Sequence, residues 1–372
     1  VVFVQPYVPD YRVPFFDALA AMLDAEGVDM LVLHGRPVGA QRDRGDATGR
    51  HSWAREVTQH HVHVAGRDVF WRSVHHEAKA ATVVVQELAS SNPTTYTLAF
   101  DPRVRLMLWG HGKAYVTRAR RLDDRLERWQ VHRAEHVFVY TEGGAEHLRA
   151  GGVASSKLTV VRNSTDTRSL VAAVAELDQR DVDVRRAELG IDGPAALFVG
   201  GLDRTKNVPL LLDAADLAAA RLDGFRLVIA GDGPLAGMVG DREGRGGPVR
   251  AVGRVETPHD FALLGCVCDV MVIPGRVGLV AVDAMALGLP LVTTKHDAHA
   301  PELEYLLGSD QLDVVAPTAA AVADAIVARL SRPRAGVKRE SSGLPAGTPD
   351  VEGMARSFAT VLIQACRDHR ST

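Results

Sequence analysis

A chain of 372 residues is long enough for two ordinary domains, since one hydrophobic core rarely grows past roughly 250–300 residues. With 46% hydrophobic and 24% charged residues it has the profile of a globular protein, not of a disordered or membrane-embedded one. The 43 basic and 46 acidic side chains leave a net charge of −3, so no overall field favours nucleic acid.

In chain order, short apolar runs alternate with helical patterns, the signature of parallel sheets covered by helices. The opening VVFV has no basic region before it and is too short for a signal-peptide core; it reads as a first strand at 1–4. Further strands are expected at 29–33, 60–64, 82–86, 104–109, 136–140 and 158–161, with helices at 15–26 and 115–134 between them. The polar segments 40–52 and 240–249 read as surface loops. Around 165–192 the sequence turns from NSTDT into the charged stretch AELDQRDVDVRRAELG, the expected seam. The runs AALFVG, RLVIAG, VRAVG, VMVIPG and LPLVTT then repeat the strand theme. Residues 331–350 have the composition of a linker, and a last helix follows at 351–367. Parallel strands need crossovers, so each half reads as a doubly wound α/β domain, 1–168 and 190–350, with the segment 351–372 packing back on the first.

Cys266, Cys268 and Cys366 offer no easy bridge, and buried thiols in a reducing, cytoplasmic compartment are the expectation. No apolar run approaches the roughly 18 residues of a membrane span. His60, His61 and His63 lie on an alternating run without acidic or Cys partners, so strand histidines are favoured over a metal site. GDGPLAG at 231–237 has the wrong spacing for a dinucleotide turn and lacks the acid expected about 20 residues on.

Chemistry concentrates in the second half. FVGGLDRTKN at 198–207 ends a buried strand in Gly200 and Gly201, and Arg204 and Lys206 then precede a helix. Ligands bind at the carboxyl ends of such strands, where two cations can clamp a diphosphate; the plainer reading is ordinary surface charge. In VIPGRVGLVAVDAMALGLP, at 272–290, a strand runs into Gly275 and a helix begins near Gly278. The free N–H groups of Val277, Gly278, Leu279 and Val280 would attract phosphate oxygens. Asp283, about one and a half turns on, would accept ribose hydroxyls; its plainer reading is an acid that the helix dipole favours. Glu302 and Glu304 open a helical turn near the same sheet edge, and Arg254 follows VRAVG.

The order of these segments resembles a retaining glycosyltransferase of family 4, with the GT-B fold of two Rossmann-like domains facing across a cleft. That family carries VGRLxxxKG, then GDGP, then PSxxEGFGLxxxEAMAxGxPVV. The corresponding stretches here are VGGLDRTKN, AGDGPL and PGRVGLVAVDAMALGLPLVTT. The first half is similar to one branch of the family through QPYVPDYRVPFFDAL, LMLWGHGKAY, HVFVYTEGGAEHL and TVVRNSTDT. The resemblance implies a nucleotide-sugar donor (UDP-, GDP- or dTDP-linked) and a hydroxyl acceptor, with retention and without a metal or other cofactor. It places His111 beside the donor sugar; Arg204 and Lys206 are the expected catalytic cations that hold the departing diphosphate, and Glu302 and Glu304 are the candidates for the negative charge missing at Gly275. Tyr7, Tyr11, Arg12, Ser91 and Asn92 fall on the acceptor side.

Three departures stand out. Gly201 replaces the family arginine, Gly275 replaces the first glutamate of the paired acids, and Asp283 shortens the second. A PGxVGL version occurs in one branch of the family. Losing the acid weakens a double displacement and leaves a front-face reaction, in which the departing diphosphate takes the acceptor proton. A catalytically silent nucleotide-sugar-binding homologue, or an epimerase or hydrolase on the same architecture, are the alternatives. Between 103 and 133, nine basic residues face three acids, a pattern suited to a solvated helix or, more sharply, to a lipid-linked acceptor at an anionic membrane.

Overall fold

The computed structural model describes every residue except 39, 44, 47–48, 65–66, 114–120, 297, 332–342 and 371–372. The chain divides into two compact units, 1–164 with 349–372, and 165–348. Arg118 and Arg120 of the basic run lie outside the described residues, as do the side chains of Arg121 and Leu122 and most of the 331–350 segment.

Among the described residues the first unit holds nine strands: β1 (Val2–Gln5), β2 (Leu31–His34), β3 (Ala54–Glu56), β4 (Gln59–Val64), β5 (Arg67–Arg72), β6 (Val84–Glu87), β7 (Leu106–Gly110), β8 (His136–Val139) and β9 (Leu158–Val160). Seven of them make one parallel sheet in the order β3-β2-β1-β6-β7-β8-β9. The run at 60–64 is a strand, but not of that sheet. It pairs antiparallel with β5, His60 opposite Trp71 and His61 opposite Phe70, in a separate hairpin. Its alternating pattern, with one half polar, suits a two-stranded ribbon better than a strand buried on both faces.

One face of the large sheet packs Phe3, Trp109 and Phe138, with Phe15 and Phe16 of the helix Val13–Asp24, against the helix Val351–Arg370. That helix buries Val351, Met354, Ala355, Phe358, Leu362 and Cys366, an apolar stripe at helical spacing. Phe358 stacks on Phe138 with ring centroids 4.1 Å apart, and its truncation to Ala would cost about 3–5 kcal/mol. The same helix lies along the helix Val13–Asp24, where Arg367 pairs with Glu26 at 2.7 Å.

In the second unit β10 (Ala195–Val199), β11 (Arg226–Ala230), β12 (Val249–Gly253), β13 (Val270–Ile273), β14 (Leu291–Thr294) and β15 (Leu312–Val315) form one parallel sheet. The order is β12-β11-β10-β13-β14-β15. Helices cover both faces, so β10 and β13 read as unbroken apolar runs. The charged stretch after NSTDT folds as two helices, Thr167–Glu176 and Gln179–Glu188, whose Leu170, Val174 and Val182 join this unit's core. Successive strands are added outward in one direction from β10 to β12 and in the other from β13 to β15, which makes the carboxyl ends of β10 and β13 the switch point where such sheets bind ligands. All three cysteines are free and buried. Among the described residues no helix is long and apolar enough to cross a membrane.

Candidate functional site

The loops after β10, β11, β13 and β14 meet at the carboxyl ends of the strands, and mostly main-chain bonds hold them in place. After β10, the Asp203 carboxylate accepts from the N–H of Thr205 (2.7 Å) and of Lys206 (3.3 Å), capping a single turn, Arg204–Lys206. Leu202 N–H donates to Asp232 O and Leu235 N–H to Leu202 O, each at 2.8 Å, which locks the GDGP segment beside this turn. On the other side, Arg276 N–H donates to Thr205 O at 2.8 Å, and Lys206 Nζ donates to Arg276 O at 2.7 Å. The ammonium is thus pinned between β10 and β13.

Gly275 explains its own departure from the family pattern. A Cβ built there would lie 2.2 Å from Thr205 O and 2.4 Å from the Lys206 carbonyl carbon, contacts that no side chain permits. No carboxylate can project from this position while the Thr205–Lys206 backbone stays where it is. Gly201 is different: a Cβ would meet only Asp203 Oδ2, at 3.4 Å. Arg204 is exposed and its guanidinium has no partner among the described residues.

The helix Val280–Leu287 starts two residues later than the glycine pattern suggests, so Asp283 falls in its first turn. Val277 N–H is bonded, whereas the N–H groups of Gly278, Leu279 and Val280 have no hydrogen-bond partner among the described residues. Consecutive unpaired amides at a helix start form a ready anion site. Asp283 is half-buried between Val282 and Ala284, and Thr165 Oγ1 donates to its Oδ1 at 2.7 Å. Desolvation outweighs that bond and pushes the carboxyl up to about 6. Glu302 is buried and Glu304 half-buried in the short helix Pro301–Leu306 after β14, and Arg254 is exposed at the end of the edge strand β12, two strands from β10.

In the first unit His111 follows β7, half-buried, with its ring 4.8 Å from that of Tyr140. Its loop is pressed against the helix Glu142–Ala150: a Cβ on Gly144 would sit 2.3 Å from the His111 carbonyl oxygen, so TEGG and GHG are two halves of one contact. Arg12 is buried, its guanidinium 4.9 Å from the Trp109 ring and 5.7 Å from that of Tyr140. Tyr11 is exposed and 5.1 Å from the same guanidinium, so Tyr11, Arg12, Tyr140 and His111 form one aromatic and cationic cluster. Tyr7 lies apart from it, buried, and donates to Asp46 at 3.2 Å. Asn92 is buried as the cap of the helix Pro93–Phe100, its Oδ1 accepting from Thr94 N–H at 3.1 Å, and Ser91 stands just before it, exposed.

Composition overstates the free charge of the basic run. Arg103 is paired with Asp101 (2.8 Å) and Arg105 with Glu135 (2.5 Å), while Trp129 stacks on Tyr96. His60 and His61 stack on Trp71 and Phe70, and no group of three metal-ligating side chains occurs among the described residues.

Sequence reasoning passed over several polar residues near these sites. Arg72, almost wholly buried, sits beside Glu87 at the end of β6, and desolvation raises the Glu87 carboxyl while lowering the arginine. Thr165, Arg276 and His299 were likewise unmarked; Arg276 alone carried a readable signal, as a cation inside the PGRVGL segment.

Residues 193–332 match the family described as glycosyl transferases group 1. No curated protein matches the chain. Solved structures do: Anabaena Alr3699/HepE in complex with UDP has 16% identity and a TM-score of 0.60, covering 100% of this chain and 99% of that one. Sucrose-phosphate synthase from Thermosynechococcus elongatus has 16% identity and a TM-score of 0.62, covering 100% and 98%. UDP-GlcNAc 2-epimerase from Methanocaldococcus jannaschii has 11% identity and a TM-score of 0.59, covering 97% and 98%. At these identities the likeness is one of fold, an α/β chain of two Rossmann-like domains. The domain match and the fold together support a GT-B glycosyltransferase.

Proposed function

We propose that the chain transfers a sugar from a nucleotide-diphosphate donor to a hydroxyl acceptor, with retention, as a member of family 4. One observation carries the reading: Lys206, bonded to the Arg276 carbonyl, and the unpaired amides of Gly278, Leu279 and Val280 stand on the two joined loops after β10 and β13, inside the segment that matches the glycosyl transferases. These groups, with the exposed Arg204, stabilise the charge that grows on the departing diphosphate. They supply the positive charge that a metal ion brings elsewhere, which is why we assign a metal-independent reaction. Because Gly275 leaves no room for a carboxylate, the front-face route is the one we adopt. The bond from the anomeric carbon to the diphosphate breaks, the acceptor oxygen attacks from the same side, and the diphosphate takes the acceptor proton. In this scheme Asp283 accepts the ribose hydroxyls, His111 hydrogen-bonds the sugar, and the Tyr11 and Arg12 cluster faces the acceptor.

UDP-sugars are the first donors to test, since structural neighbours were crystallised with UDP and UDP-glucose. A mass-spectrometric screen of UDP-, GDP- and dTDP-sugars against glycan, lipid-linked and small hydroxyl acceptors, with and without EDTA, decides the matter. Transfer that survives EDTA and keeps the anomeric configuration supports the proposal. Binding without product identifies a silent homologue, and product without acceptor an epimerase or hydrolase. Sedimentation with anionic vesicles tests the membrane contact assigned to 103–133.

A further inference from the structure

The loop after β13 is held from its other side by a histidine. His299 accepts a hydrogen bond from Val277 N–H through Nδ1, at 3.1 Å, and its Nε2 lies 2.8 Å from the carbonyl oxygen of Thr294 at the end of β14. A carbonyl can only accept, so Nε2 carries the proton; an amide N–H can only donate, so Nδ1 is bare. Both ring nitrogens are committed, and only one neutral tautomer satisfies them. Ala300 N–H closes the same loop by donating to Val277 O at 2.9 Å.

The consequence falls on the neighbouring residues. With Val277 N–H taken by the imidazole, the chain turns into the helix Val280–Leu287 leaving the next three amides unpaired. Had Val277 no acceptor, its buried N–H would compete for one inside the turn. Burial lowers the tendency of the ring to protonate, and His296 from its own loop, Lys206 from the β10 loop and Arg276 from the β13 loop act in the same direction against the Thr294 carbonyl. The imidazole therefore stays neutral near pH 7, as the bond from Val277 requires.

We infer that His299 is a positioning residue for donor binding: its Nε2-protonated imidazole ties β14 to Val277 and so shapes the amide cradle at 278–280. This deepens the function proposed above and rests on it for the identity of the ligand. The test uses the full chain with His299→Leu, which removes both bonds, and His299→Asn, whose carboxamide oxygen stands near the place of Nδ1. UDP affinity by calorimetry at pH 7.5 should fall about tenfold or more in the Leu variant, the equivalent of one lost hydrogen bond. The Asn variant should stay within about threefold of the native protein. Long-range ¹⁵N–¹H spectra of the ligand-free native protein should show His299 neutral and protonated on Nε2, and amide exchange at Val277 should speed up in the Leu variant and be restored in the Asn variant. A charged or Nδ1-protonated ring, or unchanged exchange and UDP affinity in a folded Leu variant, overturns the inference. The ring spectrum and the exchange need no nucleotide. If the native protein bound no UDP, GDP or dTDP, the proposed function would fail, while those two readouts would still decide whether His299 fixes the loop.

Discussion

The two units carry their candidate residues in different ways. In the second unit the candidate site is assembled from main chain: the capped turn Arg204–Lys206, the Gly275 approach and the amides at 278–280. In the first unit the cluster at the ends of β1, β7 and β8 is made of large side chains, with Arg12 set among Tyr11, Trp109 and Tyr140, and His111 on Tyr140. A main-chain site depends on where glycines permit backbones to meet. A side-chain site depends on which rings are present and can be remodelled by substitution. Under the proposed function the first arrangement would hold the constant diphosphate and the second the variable acceptor.

The sharpest way to break this contrast is to put a side chain into the main-chain site. Gly275→Glu restores the acid of the family pattern, yet its Cβ would strike Thr205 O, so the variant should lose UDP binding by more than about 100-fold instead of gaining turnover. Calorimetry with UDP, beside a thermal melt, checks it; a Gly275→Glu enzyme with native affinity would show that the loops part freely. Next in size is His111→Ala, expected to cut kcat by about 100-fold, the scale of one lost transition-state donor, with UDP affinity changed less than about twofold. Steady-state kinetics alongside calorimetry separates the two effects. Lys206→Ala should do the reverse, raising the Kd for UDP by about 10–100-fold, as loss of a charge-assisted hydrogen bond predicts.

The smallest effect sharpens the comparison through pH. Asp283 has its carboxyl raised from 3.8 to about 6 by desolvation, so the folded state holds its proton more tightly than the unfolded chain. A raised carboxyl costs stability once it ionises: nothing below pH 4, growing between pH 4 and 6, and constant above at roughly 1–3 kcal/mol. Asp283→Asn should therefore melt several degrees higher than the native protein at pH 7.5 and at the same temperature near pH 4. If the ionised form accepts the ribose hydroxyls, UDP-glucose affinity should drop a few-fold as the pH falls through 6, and the Asn variant should lose that dependence. Equal melting temperatures at pH 7.5 would remove the desolvation argument.

Much of this was readable before any coordinates. Strands buried on both faces must be apolar throughout, so AALFV and VMVI announced a parallel sheet and with it a crevice at the strand ends. Two cations on a short strand-to-helix loop, and glycines before a helix, are local patterns, and a linear reading catches them. The hairpin β4–β5 escaped because its alternation of His and Val looks like any half-exposed strand. Residues such as Thr165 and His299 escaped because what matters about them is a partner away along the chain: Thr165 meets Asp283 118 residues away, and His299 meets Val277 22 residues back, beyond a helix and a strand.

By itself the amino-acid pattern determined the fold class and marked the strand ends where the candidate residues cluster, since burial and helix periodicity act over a few neighbouring residues. Only the packed structure decided why Gly275 must be glycine, which amides remain unpaired and which histidine tautomer the loop requires. Those are questions of distance between segments that strand order, not spacing along the chain, brings together.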